Sequence, residues 1–250
     1  MKLLVLIALL QGPKSVYHIS PPVDITVTVA AVVGSAVAYL NSDKLIKPRC
    51  PCDPAEVNAF DRGAIGNKSP TAATLSDLTA GAVVVAPLLL DAVDLGGLNE
   101  VWWEDAVVFA QTLAINGALA TTAKFITKRP LPRTYAGDPS LIDRPDGYRS
   151  FYSGHTSLVF AGLSATAMTI RLRYGEKTWP WIVTGVVGTS VAIERVADGR
   201  HFPTDVIAGA VMGTAVGIVV PWLHSRGGAG TPQASRGAGG SLLVGWNLQF

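Results

Sequence analysis

The stretch Val206–Trp222, VIAGAVMGTAVGIVVPW, runs for seventeen residues without a charge. That length exceeds an ordinary strand and suits a buried helix. Gly209, Gly213 and Gly217 recur in it at four-residue spacing, which lines them along one helical face and lets another helix approach closely. Five further apolar segments precede it: Ile25–Leu40, Leu78–Leu90, Ala106–Ala123, Thr156–Ile170 and Trp179–Ile193. They are helical in size but short of the roughly 20 apolar residues of a bilayer-spanning helix. The pattern predicts an all-α bundle of about six apolar helices. Membrane integration is the favoured setting, with a soluble periplasmic or secreted protein as the alternative.

Composition agrees. Of 250 residues, 49% are hydrophobic and 15% charged, against about 25% charged in a typical soluble domain. Mean hydropathy is +0.35. Disorder is excluded for most of the chain. A net charge of +2 is too balanced for a general nucleic-acid binder. The two cysteines, Cys50 and Cys52, rule out a disulfide scaffold, and one intervening residue shapes them poorly for bonding to each other.

The start, MKLLVLIALLQG, sets one Lys before the apolar run Leu3–Leu10 and reads as an export-signal core. After Trp222 the stretch RGGAGTPQASRGAGG has the composition of a flexible linker. Val244, Trp246, Leu248 and Phe250 then alternate like one face of a strand. The expected organisation is an export segment over 1–20, a helical domain over 21–225 with its motif core at 124–205, and a linker and tail over 226–250.

If the segments alternate sides, the connections 41–77, 124–155 and 194–205 share one face. Arg171, Arg173 and Lys177 on the opposite face suit a cytoplasmic loop, yet Asp91, Asp94, Glu100 and Glu104 lie on that same face and pull against the assignment.

Chemistry concentrates on the first face. Lys124 to Arg149 contains six basic and three acidic residues, a local excess of 6 − 3 = +3 that suits an anionic ligand or lipid headgroups. Next comes Ser150–Ser157, SFYSGHTS. Ser153 and Gly154 at a helix start offer backbone N–H groups, a hydroxyl and the positive end of the helix dipole to an anion. His155 falls in that first turn. The third element is ERVADGRHFPTD, Glu194 to Asp205. His201 and Asp205, four apart, face the same way, so the carboxylate can accept the imidazole N–H and leave the other ring nitrogen as nucleophile or base. Taken singly, a serine cap and a surface ion pair explain these features. Together each stands at the end of an apolar segment, and packed helices would bring all of them to one end of the bundle. Asp198 and Arg200 read as capping and solvating that loop, and Tyr148, Phe151 and Tyr152 as packing.

The ordered set Lys124, Arg129, Ser153-Gly154-His155 and Arg195-x5-His201-x3-Asp205 resembles the type 2 phosphatidic acid phosphatase and vanadium haloperoxidase superfamily. The resemblance covers about a third of the chain. It implies that His201 attacks phosphorus, Asp205 orients it, and His155 protonates the leaving group and later activates water. Lys124, Arg129, Ser153, Gly154 and Arg195 would hold the phosphate. The implied activity is hydrolysis of a phosphomonoester or pyrophosphate, with a lipid such as phosphatidic acid or a polyprenyl pyrophosphate as the implied substrate. No metal or cofactor is implied, and the active site would face away from the cytoplasm. Vanadate would inhibit, or would serve as cofactor if the chain were instead a haloperoxidase. A non-catalytic phospholipid-binding membrane protein is the third alternative. Three positions depart from the pattern: Glu194 stands for Ser, Tyr152 for Pro, and Leu131 where the first element wants Arg, leaving Arg129 or Arg133 to substitute.

Overall fold

The computed structural model describes residues 15–226, together with the backbone of 232–236 and 242–246. Six long helices make the body: α1 Pro21–Leu40, α2 Pro70–Asp94, α3 Glu100–Thr127, α4 Gly154–Tyr174, α5 Trp179–Ala197 and α6 Pro203–His224. Each extends past the apolar segment that announced it, because backbone hydrogen bonding continues through the polar flanks. Short sequence signals set the ends. Ser69, Asn99 and Ser153 accept from backbone N–H groups of the first turns of α2, α3 and α4. Prolines open α1, α2 and α6, and Lys128 closes α3 with a left-handed φ of 49°.

The glycine face of α6 packs on α4, as its spacing predicts. A methyl at Gly213 would stand 2.2 Å from the carbonyl oxygen of Ser157, at Gly217 2.5 Å from that of Ala161, and at Gly209 2.8 Å from that of Ser153. Glycine is therefore required for this approach. The consequence is positional: the starts of α4 and α6 are brought together, and the Ser153 N–H donates to the Asp205 carbonyl at 3.1 Å.

Four stretches have the length and composition to cross a membrane: Pro21–Leu40, Pro70–Asp94, Glu100–Tyr135 and Pro203–His224. Only 6% of the apolar window of α1 is buried, and Val23, Ile25, Val29, Val32, Val33 and Val37 lie on its surface. Such a face belongs against lipid rather than water. α4 lies inside, burying Thr156, Ser157 and Ser164 among small residues.

Three expectations need correction. Cys50 and Cys52 are bonded to each other, their Cα atoms 4.5 Å apart, within the reach of a disulfide. The stretch read as a linker carries a strand, β1 Pro232–Arg236, paired antiparallel with β2 Leu242–Trp246; Leu248 and Phe250 lie outside the described residues. The export core Leu3–Leu10 also lies outside them, but residues just after it belong to the body. Tyr17 is fully buried, donating to or accepting from Thr169 at 2.7 Å, and the His18 N–H donates to the His224 carbonyl at 2.8 Å.

Part of the loop charge is accounted for by an internal ion-pair cluster. Arg173 pairs with Asp91 at 3.1 Å and with Asp105, so these charges neutralise one another inside the bundle and say nothing about sidedness.

Candidate active site

The ends of α3 and α5 and the starts of α2, α4 and α6 meet at one end of the bundle, and every residue expected at the site lies there. His201, in the turn between α5 and α6, is 4% exposed. Its Nδ1 lies 2.7 Å from the Ser150 carbonyl and 3.8 Å from the Asp205 carboxylate. The first partner is thus a backbone oxygen, which can only accept, so Nδ1 carries the proton and Nε2 keeps its lone pair. Burial pushes the His201 pKa down to about 3, with the Asp205 carboxylate opposing. At neutral pH the ring is neutral.

Asp205 acts one step back. Its Oδ2 accepts from the Ser150 hydroxyl at 2.5 Å and the Phe202 N–H at 2.9 Å, and its Oδ1 accepts from Arg129 at 2.5 Å. The carboxylate therefore fixes Ser150 and the His201 turn together, while the Ser150 carbonyl orients the imidazole. His201 and Ser150 are 51 positions apart, and only the fold brings them into register.

Lys124, at the last turn of α3, is buried and donates to the Arg149 carbonyl at 2.8 Å. Its Cε would lie 3.7 Å from a Cβ at Gly154, so the ammonium stem runs beside the start of α4. There Ser153 caps the helix, its hydroxyl 2.9 Å from that of Thr156. The first intrahelical bond is Ser157 N–H to the Ser153 carbonyl, which leaves the Gly154 and His155 N–H groups ahead of the ladder. Arg195, 7% exposed, donates to the Ser76 hydroxyl at 3.1 Å and stands 3.3 Å from Asp198 and 3.6 Å from Asp77. Its Nε has no partner. Lys124, the N–H groups of α4 and Arg195 are together the materials of an oxyanion cradle.

Arg129 is placed differently from expectation. Its Nη1 binds Asp205 and the Thr204 hydroxyl, its Nη2 binds Asp61 at 2.8 Å, and its guanidinium carbon lies 4.2 Å from the centre of the Phe202 ring. A guanidinium held by two carboxylates has little left for an anion. Burial opposes ionisation of Asp61, yet hydrogen bonds from Thr204 and Arg129 outweigh it and hold the carboxyl below its ordinary range. Arg133, the other candidate for the arginine missing at Leu131, spends two nitrogens on Asp138 at 2.9 and 2.6 Å.

His155 is bonded through Nε2 to Asp77 of α2 at 2.8 Å. Sequence reasoning missed Asp77, Ser76 and Asp61, which lie far from the three elements and carry no spacing signal. It quoted Ser150 but gave it no part. Asp198 is buried, not solvated, between Arg195 and Arg200, because the turn at Gly199 folds it inward. Tyr148 is fully buried and Tyr152 nearly so, in agreement with a packing role.

Residues 105–228 match the family model described as PAP2 superfamily, in agreement with the resemblance read from Lys124 to Asp205. The chain is 26% identical over 214 residues to a lipid A 1-phosphatase of Porphyromonas gingivalis, covering 83% of this chain and 40% of that protein. It is 29% identical over 110 residues to an undecaprenyl-diphosphatase of Sulfolobus acidocaldarius, covering 44% and 50%. The matches therefore span half or less of the length of these relatives. The fold is shared with the crystal structure of a transmembrane PAP2 type phosphatidylglycerolphosphate phosphatase from Bacillus subtilis. That similarity has a TM-score of 0.50 at 18% identity, over 79% of this chain and 93% of that one.

Proposed function

With residues 105–228 assigned to the PAP2 superfamily, we propose that the chain is a membrane phosphatase. It would hydrolyse the phosphomonoester or pyrophosphate of a lipid, without a metal, through a phosphohistidine. The observation that carries this reading is the tautomer of His201: Nδ1 is committed to the Ser150 carbonyl, so a neutral imidazole presents Nε2 beside an anion cradle. A protein that only binds phosphate needs cations, not an oriented nucleophile.

In the first step Nε2 of His201 forms a bond to phosphorus as the bond to the leaving oxygen breaks. Burial and the neighbouring Arg195 lower the His155 pKa while the Asp77 carboxylate opposes them; the protonated fraction of His155 gives the leaving oxygen its proton. The positive charge that forms on His201 is met by Asp205. In the second step His155, now neutral, takes a proton from water. The water oxygen bonds to phosphorus, the P–N bond breaks, and neutral His201 returns with inorganic phosphate. Lys124, Arg195, the Ser153 hydroxyl and the Gly154 N–H hold the equatorial oxygens, where phosphoryl transfer concentrates charge. Arg129 takes no oxygen in this scheme and acts by holding Asp205.

The lipid substrate is supported by the apolar surface of α1 and by the lipid-directed names of the relatives. The active site would face away from the cytoplasm. The test is phosphate release by detergent-purified protein from phosphatidic acid, undecaprenyl pyrophosphate and a soluble aryl phosphate. EDTA is present and His201→Ala is the control. EDTA-resistant release lost in the variant, with a phosphohistidine trapped by acid-free quench, is the expected result. Release that requires a metal, or that survives loss of His201, overturns the mechanism.

A further inference from the structure

We propose that Asp77 confines the substrate to phosphomonoesters of an uncharged lipid alcohol, because its carboxylate repels a leaving group that carries a second phosphate; this rests on the phosphatase reading above. Asp77 is the only charged residue between Lys68 and Asp91, on a helix long and apolar enough to cross a membrane. Its side chain is exposed, as are Leu75 and Leu78 on either side of it. A carboxylate among the leucines of such a helix is costly, so its position calls for a function.

That position is the leaving-group side of the site. Oδ1 of Asp77 lies 2.8 Å from Nε2 of His155 and 3.6 Å from Nη1 of Arg195. His155 is the acid that protonates the leaving oxygen, so this oxygen must come within hydrogen-bond reach of the imidazole. It then lies within roughly 8 Å of the Asp77 carboxylate, about one Debye length.

A phosphomonoester and a pyrophosphate differ only there. Both present the phosphoryl group that Lys124, Arg195 and the start of α4 hold. With a phosphomonoester the P–O bond breaks, the leaving oxygen takes the proton of His155, and a neutral alcohol departs past Asp77. With a pyrophosphate the departing group is itself a phosphate and carries negative charge. Other cations on this side are engaged, Arg133 with Asp138 and Arg200 with Asp198. A second phosphate therefore meets a carboxylate where it needs a cation, and such a repulsive contact discriminates between substrates that share every attractive one.

The experiment compares phosphatidic acid with diacylglycerol pyrophosphate of the same acyl chains in one detergent micelle. Initial rates are scored as lipid product, so that each molecule counts for one hydrolysis. Wild type is expected to favour phosphatidic acid on the order of tenfold in kcat/KM. Asp77→Asn removes the charge, while its amide oxygen can still accept from His155, and is expected to bring the ratio to about one. A disturbed His155 lowers both rates together, so the ratio reads the charge at the leaving group and not the placement of the ring. Asp77→Ser makes the same test should the amide disturb α2. Equal kcat/KM in wild type, a preference for the pyrophosphate, or a preference that survives both substitutions overturns the role of Asp77 and leaves the phosphatase reading standing. Turnover of neither lipid overturns both.

Discussion

Two ends of one helical bundle hold buried cations, and what faces them differs. At one end Arg173 is locked by the carboxylates of Asp91 and Asp105. At the other, Lys124 faces a carbonyl oxygen, and Arg195 has Asp198 at 3.3 Å and the exposed Asp77 at 3.6 Å, both longer contacts than those of Arg173. A cation in direct ion pairs has spent its field on its partners. One held by neutral or more distant groups still attracts an anion. Arg129 shows that the distinction follows partners rather than location: it sits at the site end, yet Asp61 and Asp205 close it as firmly as Arg173 is closed.

Removing the nucleophile is the largest expected effect. His201→Ala should lower phosphate release by at least about a thousandfold, measured in detergent against wild type at equal folded protein. Next, Arg195→Met should cost on the order of a hundredfold in kcat/KM, the scale of losing a donor to a developing oxyanion, with a near-normal melting temperature. Arg173→Met should reverse that pattern. It strands two buried carboxylates and should cost about 3–5 kcal/mol of stability, while activity per folded molecule is retained. If Arg173→Met impairs turnover and Arg195→Met impairs folding instead, the contrast between the ends is broken.

Arg129→Met sharpens the intermediate case. As a positioning residue behind Asp205 it should lower kcat by roughly tenfold or more with KM little changed, because uniform phosphate binding is not what it supplies. A rise in KM at constant kcat would instead make it a phosphate ligand. At neutral pH, where His201 is uncharged in both states, the remaining effect vanishes, and it is read instead in the pH dependence of stability. His201 is held neutral, its pKa pushed from 6.5 down to about 3 by burial. Between those values the unfolded chain binds the extra proton, so stability is fully present above pH 6.5 and is lost as pH falls toward 3. The melting temperature of wild type should fall more steeply over that window than that of His201→Asn, by the contribution of one proton. Parallel curves would show that the imidazole is not desolvated.

Much of this architecture is legible locally. Apolar segments of helical length, serine and asparagine caps, and opening prolines act over a few residues, so six helices can be read from the chain. Gly209, Gly213 and Gly217 give away a close helix contact for the same reason: four-residue spacing is a property of one helix. The order of Lys124, Ser153 to His155, and Arg195 to Asp205 at helix ends locates the site without any three-dimensional information. The bond between Cys50 and Cys52 was legible only as two nearby thiols, since one intervening residue permits both open and closed geometries.

What the tertiary structure alone decides is who faces whom. Asp61 reaches Thr204 from 143 positions away and Arg129 from 68. Asp77 reaches His155, and the Ser150 carbonyl, not Asp205, accepts the hydrogen bond from the imidazole N–H. Side-chain periodicity carries no record of such partners, because they are set by how whole helices pack. The sequence by itself determined the kinds of groups assembled at the site and the end of the bundle where they meet. Packing decided which charges cancel and which remain open to an anion, because an ion pair depends on ångström separations between residues distant in the chain.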